Sequence, residues 1–204
     1  MATPIENYTA LMRMIRERFD LMDKFTQHSH ITHSGAEIVA YNARKIVEGI
    51  AFGCLVAIDH GLKSVPRDAK GQYNAEAIFK SLKKKGLHVL PSPSEVRDAT
   101  ESERLENNVK AVIEGIPSHR LTHEQLIETY QYLHGWAHEL NPYTVTDRQE
   151  HLRKNINPLI EHVVKLSKFI SNHVISIQGQ GFFCVLKDRT DGLTKVIAIQ
   201  SVAA

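Results

Sequence analysis

Two histidines, His134 and His138, stand four positions apart in Tyr130-Gln-Tyr-Leu-His-Gly-Trp-Ala-His138, with the chain's single Trp between them. On a helix this spacing points both imidazoles out of one face, which is how helical metal pairs are built. The metalloprotease form of the pattern needs a Glu directly after the first His as general base, and Gly135 stands there instead. A knot of His28, His30 and His33 in a loop could supply further ligands. Two His at helical spacing are more often packing or hydrogen-bonding residues at the edge of a core. No metal and no other cofactor is therefore expected.

Arg44 and Glu48 form an i, i+4 pair in the most apolar stretch of the chain. On an exposed face such a pair stabilises by only a few tenths of a kcal/mol. If buried, each charge must find a partner, because an isolated buried charge is very unfavourable. The favoured reading is a structural ion pair that fixes helix register; the other is a set of polar groups lining a site with His134. Lys80, Lys83, Lys84 and Lys85, with Lys63 and Arg67 nearby, make a local basic patch. Such a run is usually a solvated helix face, yet it also suits an RNA or DNA backbone, since phosphate contact needs only clustered positive charge. The sequence has no P-loop, dinucleotide-binding fingerprint, nucleophile elbow or paired-Cys motif.

These residues need elements to position them. The stretch Leu121 to Asn141 reads as one helix: Thr122 is an N-cap, Gln125 completes a capping box, and Glu124 suits the positive end of the dipole. Leu126, Tyr130, Leu133, Ala137 and Leu140 recur at spacings of three and four, and Pro142 ends the helix. Residues 4 to about 28 carry another helical stripe, from Tyr8 through Met12, Ile15 and Met22 to Phe25. A second helix from about Ser34 to His60 is apolar around more of its circumference and is expected to be central. Gly49 and Gly53 within it point to close approach of a neighbouring helix, and Gly61 reads as its C-cap.

Residues 62–72 read as a polar connection, Asn74 to Lys85 as a short helix, and Pro91-Ser-Pro-Ser94 as a turn or rigid loop. Within 95–120 a strand and a helix fit equally well. A long helix follows from Thr146 or Asp147 to about Asn172, with Pro158 expected to kink or split it. Val174–Ile177, Phe182–Leu186 and Lys195–Ile199 are β-type runs separated by Gly-rich turns, a three-strand meander. The expected fold is mainly α: about five helices in a bundle domain, residues 1–172, with a small antiparallel β-meander, residues 173–204, packed on it.

Composition narrows the function classes. With 204 residues, 42% hydrophobic and 24% charged, the chain has enough apolar material for one real core. The formal net charge of +2 is too small to imply a nucleic-acid partner by itself. Cys54 and Cys184 each sit in an apolar run, so neither a disulfide framework nor a four-Cys site is available. The first residues lack the basic and apolar regions of a signal peptide, and no apolar run is long enough to span a bilayer. A soluble, cytoplasmic protein with no membrane partner is expected.

The segments Ala43-Arg-Lys-Ile-Val-Glu-Gly-Ile-Ala-Phe52, Leu121-Thr-His-Glu-Gln-Leu126, Tyr130-Gln-Tyr-Leu-His134 and Asn141-Pro-Tyr143 together resemble a group of bacterial HEPN-like helical proteins. The resemblance covers about residues 35–175. It implies a helical bundle, a homodimer, and association with defence or toxin–antitoxin systems through RNA or a protein partner. In many relatives it implies metal-independent RNA cleavage, by an Arg followed four to six residues later by a His on a late helix. No Arg precedes any His at that spacing here. A binding module for RNA or a protein is therefore the first expectation, with Tyr130, Asn141, Lys80, Lys83 and Lys84 as binding residues. The alternative is a divergent ribonuclease in which Arg44 replaces the missing Arg beside His134 and His138, with Glu48 in support.

Overall fold

The computed structural model describes residues 2–26, 31–138 and 147–200. Helix α1 spans Pro4–Thr26, α2 His33–Leu62, α3 Arg67–Lys70 and α4 Ala75–Lys84. Strand β1 (Ser92–Asp98), helix α5 (Glu101–Asn107) and strand β2 (Ala111–Gly115) follow. A single 3-10 turn at Pro117–His119 leads into α6 (His123–Gly135). The chain continues with α7 (Arg148–Ile170), β3 (Asn172–Ile177), β4 (Gln180–Val185) and β5 (Lys195–Gln200). The architecture is mainly α with a C-terminal β-meander. Among the described residues there are seven helices rather than five, because α3 and α5 are too short to leave a periodic signature.

Helix α2 is the axle of the fold. Its buried residues include Val39, Ala43, Ile46, Ile50, Cys54 and Ile58, and α1, α4, α6, α7 and two strands pack around it. Burying each large apolar side chain stabilises by about 1.5–3 kcal/mol, so this helix contributes a large share of the core. The two interior glycines set its distance from α1. A Cβ on Gly49 would lie 3.1 Å from Ile15, and one on Gly53 would lie 3.2 Å from the Tyr8 ring. Gly61 is not the C-cap that its position suggested. The helix runs past it to Lys63, which adopts the left-handed conformation at φ 55°. Gly61 is instead where β3 presses on α2: a Cβ there would lie 2.9 Å from the Ile177 carbonyl oxygen.

The three-strand meander is present, and two further strands extend it. The sheet order is β2-β1-β3-β4-β5, with every neighbouring pair antiparallel. Pro91-Ser-Pro-Ser94 is therefore not a loop: Ser92 begins β1, and Ser92 and Pro93 pair with Val174 and His173 of β3. Proline cannot donate to a ladder, but its carbonyl can accept, and that of Pro93 takes the Ile116 N–H at 2.8 Å. From Ser94 onward β1 pairs with β2. Arg97 pins this hairpin, donating twice to Glu103 and once to Glu114, each at 2.8 Å. Helix α7 runs unbroken through Pro158, so the expected split does not occur. In the turn before Pro158, the Tyr132 hydroxyl of α6 donates to the Asn155 carbonyl at 3.0 Å, which ties the two helices together.

Candidate functional site

The site grows from a line of residues four apart: Leu126, Tyr130 and His134 on α6, and His138 in the turn just after its end. The capping box sits where the sequence places it, with Thr122 accepting from the Gln125 N–H and Gln125 accepting from the Thr122 N–H. This fixes the rotation of α6. Leu126 and Tyr130 are buried against α2, and His134 and His138, one and two turns on, emerge into solvent. The helix ends at Gly135, short of the expected Asn141, and Trp136 is its C-cap. Asn141 and Pro142 lie outside the described residues, as do His28 and His30.

Across from this line, α2 presents Arg44 and Glu48. The Arg44 Nη2 donates to the Tyr130 hydroxyl at 3.0 Å, and that hydroxyl donates to Glu48 Oε1 at 3.3 Å. The guanidinium lies over the Tyr130 ring, 5.0 Å from its centroid, in a cation–π contact. Arg44 Nε is 3.5 Å from Glu48 Oε1, and Lys45 Nζ is 2.6 Å from Glu48 Oε2. Glu48 is 7% exposed. One buried carboxylate thus holds two cations, and the cluster keeps an excess of positive charge. The structure shows Arg44 and Glu48 as an ion pair, with the Arg44 charge also acting on His134.

His134 and His138 approach with Nε2 to Nε2 at 3.1 Å and rings nearly perpendicular. Two imidazoles in this contact hold one proton between their facing nitrogens, with one donating and the other accepting. Desolvation first, then the charge of Arg44 and the neighbouring His138, hold His134 below its ordinary imidazole range. It is therefore neutral at pH 7, with a nitrogen able to accept a proton. Among the described residues no group of three or more His, Cys, Asp or Glu is arranged to hold a metal ion. His33, the described member of the sequence knot, belongs to another cluster, 3.3 Å from His151 and 3.4 Å from Glu37.

The basic patch is largely neutralised. Lys80 pairs with Glu76 at 2.6 Å, Lys83 pairs with Glu124, and Lys85 pairs with Asp68 at 3.1 Å. Lys84 is exposed on the same helix. Sequence reasoning passed over a different basic cluster, at the start of α6, where Arg120 and His123 flank the Thr122 cap. Arg120, a cation just ahead of a helix N-terminus, runs against the macrodipole, and that mismatch was the available signal.

Comparison of the chain with known protein families, curated proteins and solved structures gives no match. The resemblance to HEPN-like proteins rests on the short motifs alone.

Proposed function

We propose that this chain is an RNA-binding helical module whose contact point is the α2–α6 cluster of Arg44, His134 and His138. The observation that carries the reading is the fixed guanidinium. Tyr130 and Glu48 hold Arg44 in place beside two solvent-facing imidazoles, which together offer a cation and N–H donors to a phosphodiester. Arg suits this task because its planar fork meets phosphate oxygens in pairs. Fluorescence anisotropy of a labelled single-stranded RNA tests it. Arg44→Gln is expected to weaken binding roughly tenfold or more, the loss of a charge-assisted hydrogen-bonded contact. An unchanged affinity with an unchanged melting temperature would sink the proposal.

The facing imidazoles favour one further reading, RNA cleavage at the same cluster. A neutral His134 would take the 2′-hydroxyl proton as that oxygen attacks phosphorus. His138 as general acid would give a proton to the departing 5′-oxygen, leaving a 2′,3′-cyclic phosphate and a 5′-hydroxyl. Arg44 would hold the non-bridging oxygens. Incubation with total RNA in EDTA separates the two: cleavage by the wild type and not by His134→Ala supports catalysis, and binding without cleavage supports the module.

A further inference from the structure

A cleft of about 520 Å3 opens where α4, the start of β1 and the N-terminus of α6 meet. This lies within the roughly 300–1,000 Å3 typical of small-molecule sites. Leu90, Pro91 and Leu121 give it an apolar side, and Lys83, His88, Arg120 and His123 a cationic and titratable one. Glu124 also lines it, but Lys83 engages that carboxylate and the two charges cancel. Arg120 is exposed, and among the described residues its guanidinium has neither a carboxylate partner nor a hydrogen bond; only its backbone N–H is engaged, by the Pro117 carbonyl. A second depression of about 220 Å3 shares Arg120 and Leu121 and is lined by Lys165 and Lys168, with no carboxylate. The cleft therefore sits in an unneutralised positive field.

His123 is the second pointer to a ligand. It is the first residue of α6, is 4% exposed, and its buried Nε2 has no hydrogen-bond partner. Its ring packs edge-on to Phe79 at 5.7 Å and lies 6.1 Å from His88. A buried polar atom without a partner is unfavourable, and native structures rarely leave one so. Desolvation, then His88, holds this imidazole below its ordinary range. The positive end of the α6 dipole adds to the attraction for an anion.

We propose that this cleft binds a small phosphorylated organic molecule of mononucleotide size. Its phosphoryl group would lie at Arg120, His88 and His123, and its apolar body against Leu90, Pro91 and Leu121. The inference is independent of the α2–α6 cluster. Isothermal titration of the full chain with inorganic phosphate, the four ribonucleoside monophosphates and adenosine tests it. At least one monophosphate is expected to bind saturably, and adenosine roughly tenfold or more weakly than its monophosphate. Arg120→Gln and His88→Ala, both exposed positions, are each expected to weaken the monophosphate without lowering the melting temperature. His134→Ala is expected to leave it unchanged, which separates this site from the RNA-binding reading. Equal binding of nucleoside and nucleotide, wild-type affinity in Arg120→Gln, or no saturable heat from any of these probes would each overturn the proposal.

Discussion

At the scale of single residues, Glu48 and His173 make the sharpest predictions. Glu48 is the counter-charge that holds Arg44 and Lys45. Glu48→Gln removes a negative charge, so a purely electrostatic site would bind RNA more tightly. A site that depends on a positioned guanidinium would bind it less tightly, and that is the expected outcome by anisotropy. The same variant should lose about 1–3 kcal/mol of stability to urea, because a buried hydrogen-bonded pair is broken from one side.

His173 is fully buried, with Nδ1 2.9 Å from the Ile170 carbonyl and Nε2 2.6 Å from the Tyr8 hydroxyl. The carbonyl can only accept, so Nδ1 carries the proton and Nε2 accepts from Tyr8. Burial holds this imidazole down to about 4, while in the unfolded chain it titrates near its ordinary value. The unfolded state therefore binds the extra proton first. Stability is full above about pH 6.5 and falls as the pH drops towards 4, by on the order of 3 kcal/mol. Thermal melts from pH 7 to 4.5 should show a smaller fall for His173→Gln than for the wild type. The spacing of Arg44 and Glu48 was readable from the chain. Their partner Tyr130, on a distant helix, was not, because hydrogen bonds across 82 and 86 positions leave no local pattern.

At the scale of elements, the α1–α2 contact separates two glycines that look alike in sequence. A methyl on Gly49 meets Cγ1 and Cδ1 of the Ile15 side chain, both at 3.1 Å, an aliphatic contact that asks for only a few tenths of an ångström. A methyl on Gly53 meets the Tyr8 ring, which His173 and a stack on Phe182 at 4.8 Å hold in place. Gly→Ala in a helix otherwise stabilises by about 1 kcal/mol. Gly49→Ala is therefore expected to be near neutral by chemical denaturation, and Gly53→Ala to cost about 1–3 kcal/mol from overpacking. The close approach was legible from two glycines in an apolar helix. The rank order was not, because it depends on what fixes the opposing ring. The helices were legible because their stripes repeat within a few turns. Strand β1 was hidden by Pro91 just before it and Pro93 within it, and its partner β3 is written far downstream.

For the molecule as a whole, the sheet and the bundle share one core. Ile175, Phe182 and Cys184 of the meander are buried in the same cluster as Tyr8 of α1 and Ile50 of α2. A chain cut after Asn172 loses this wall and leaves β1 paired only with β2. Such a fragment is expected to lose its near-ultraviolet circular dichroism and its cooperative melt. A fragment that keeps both would show that the bundle is a separate unit.

The pairing of Ser92 and Pro93 with Val174 and His173 also sets a timetable. On the ribosome, β1 and β2 emerge long before the strand that seats them. A lone two-stranded hairpin is marginal in water, so from the completion of β2 at Gly115 until β3 at Asn172 the nascent chain carries an open edge and an unroofed apolar face. Its last strands close the structure like a keystone. Folding rate should therefore be limited by this distant strand pairing rather than by helix formation. Slow translation between α6 and β3 would lengthen the interval in which the nascent chain is most exposed to misassociation.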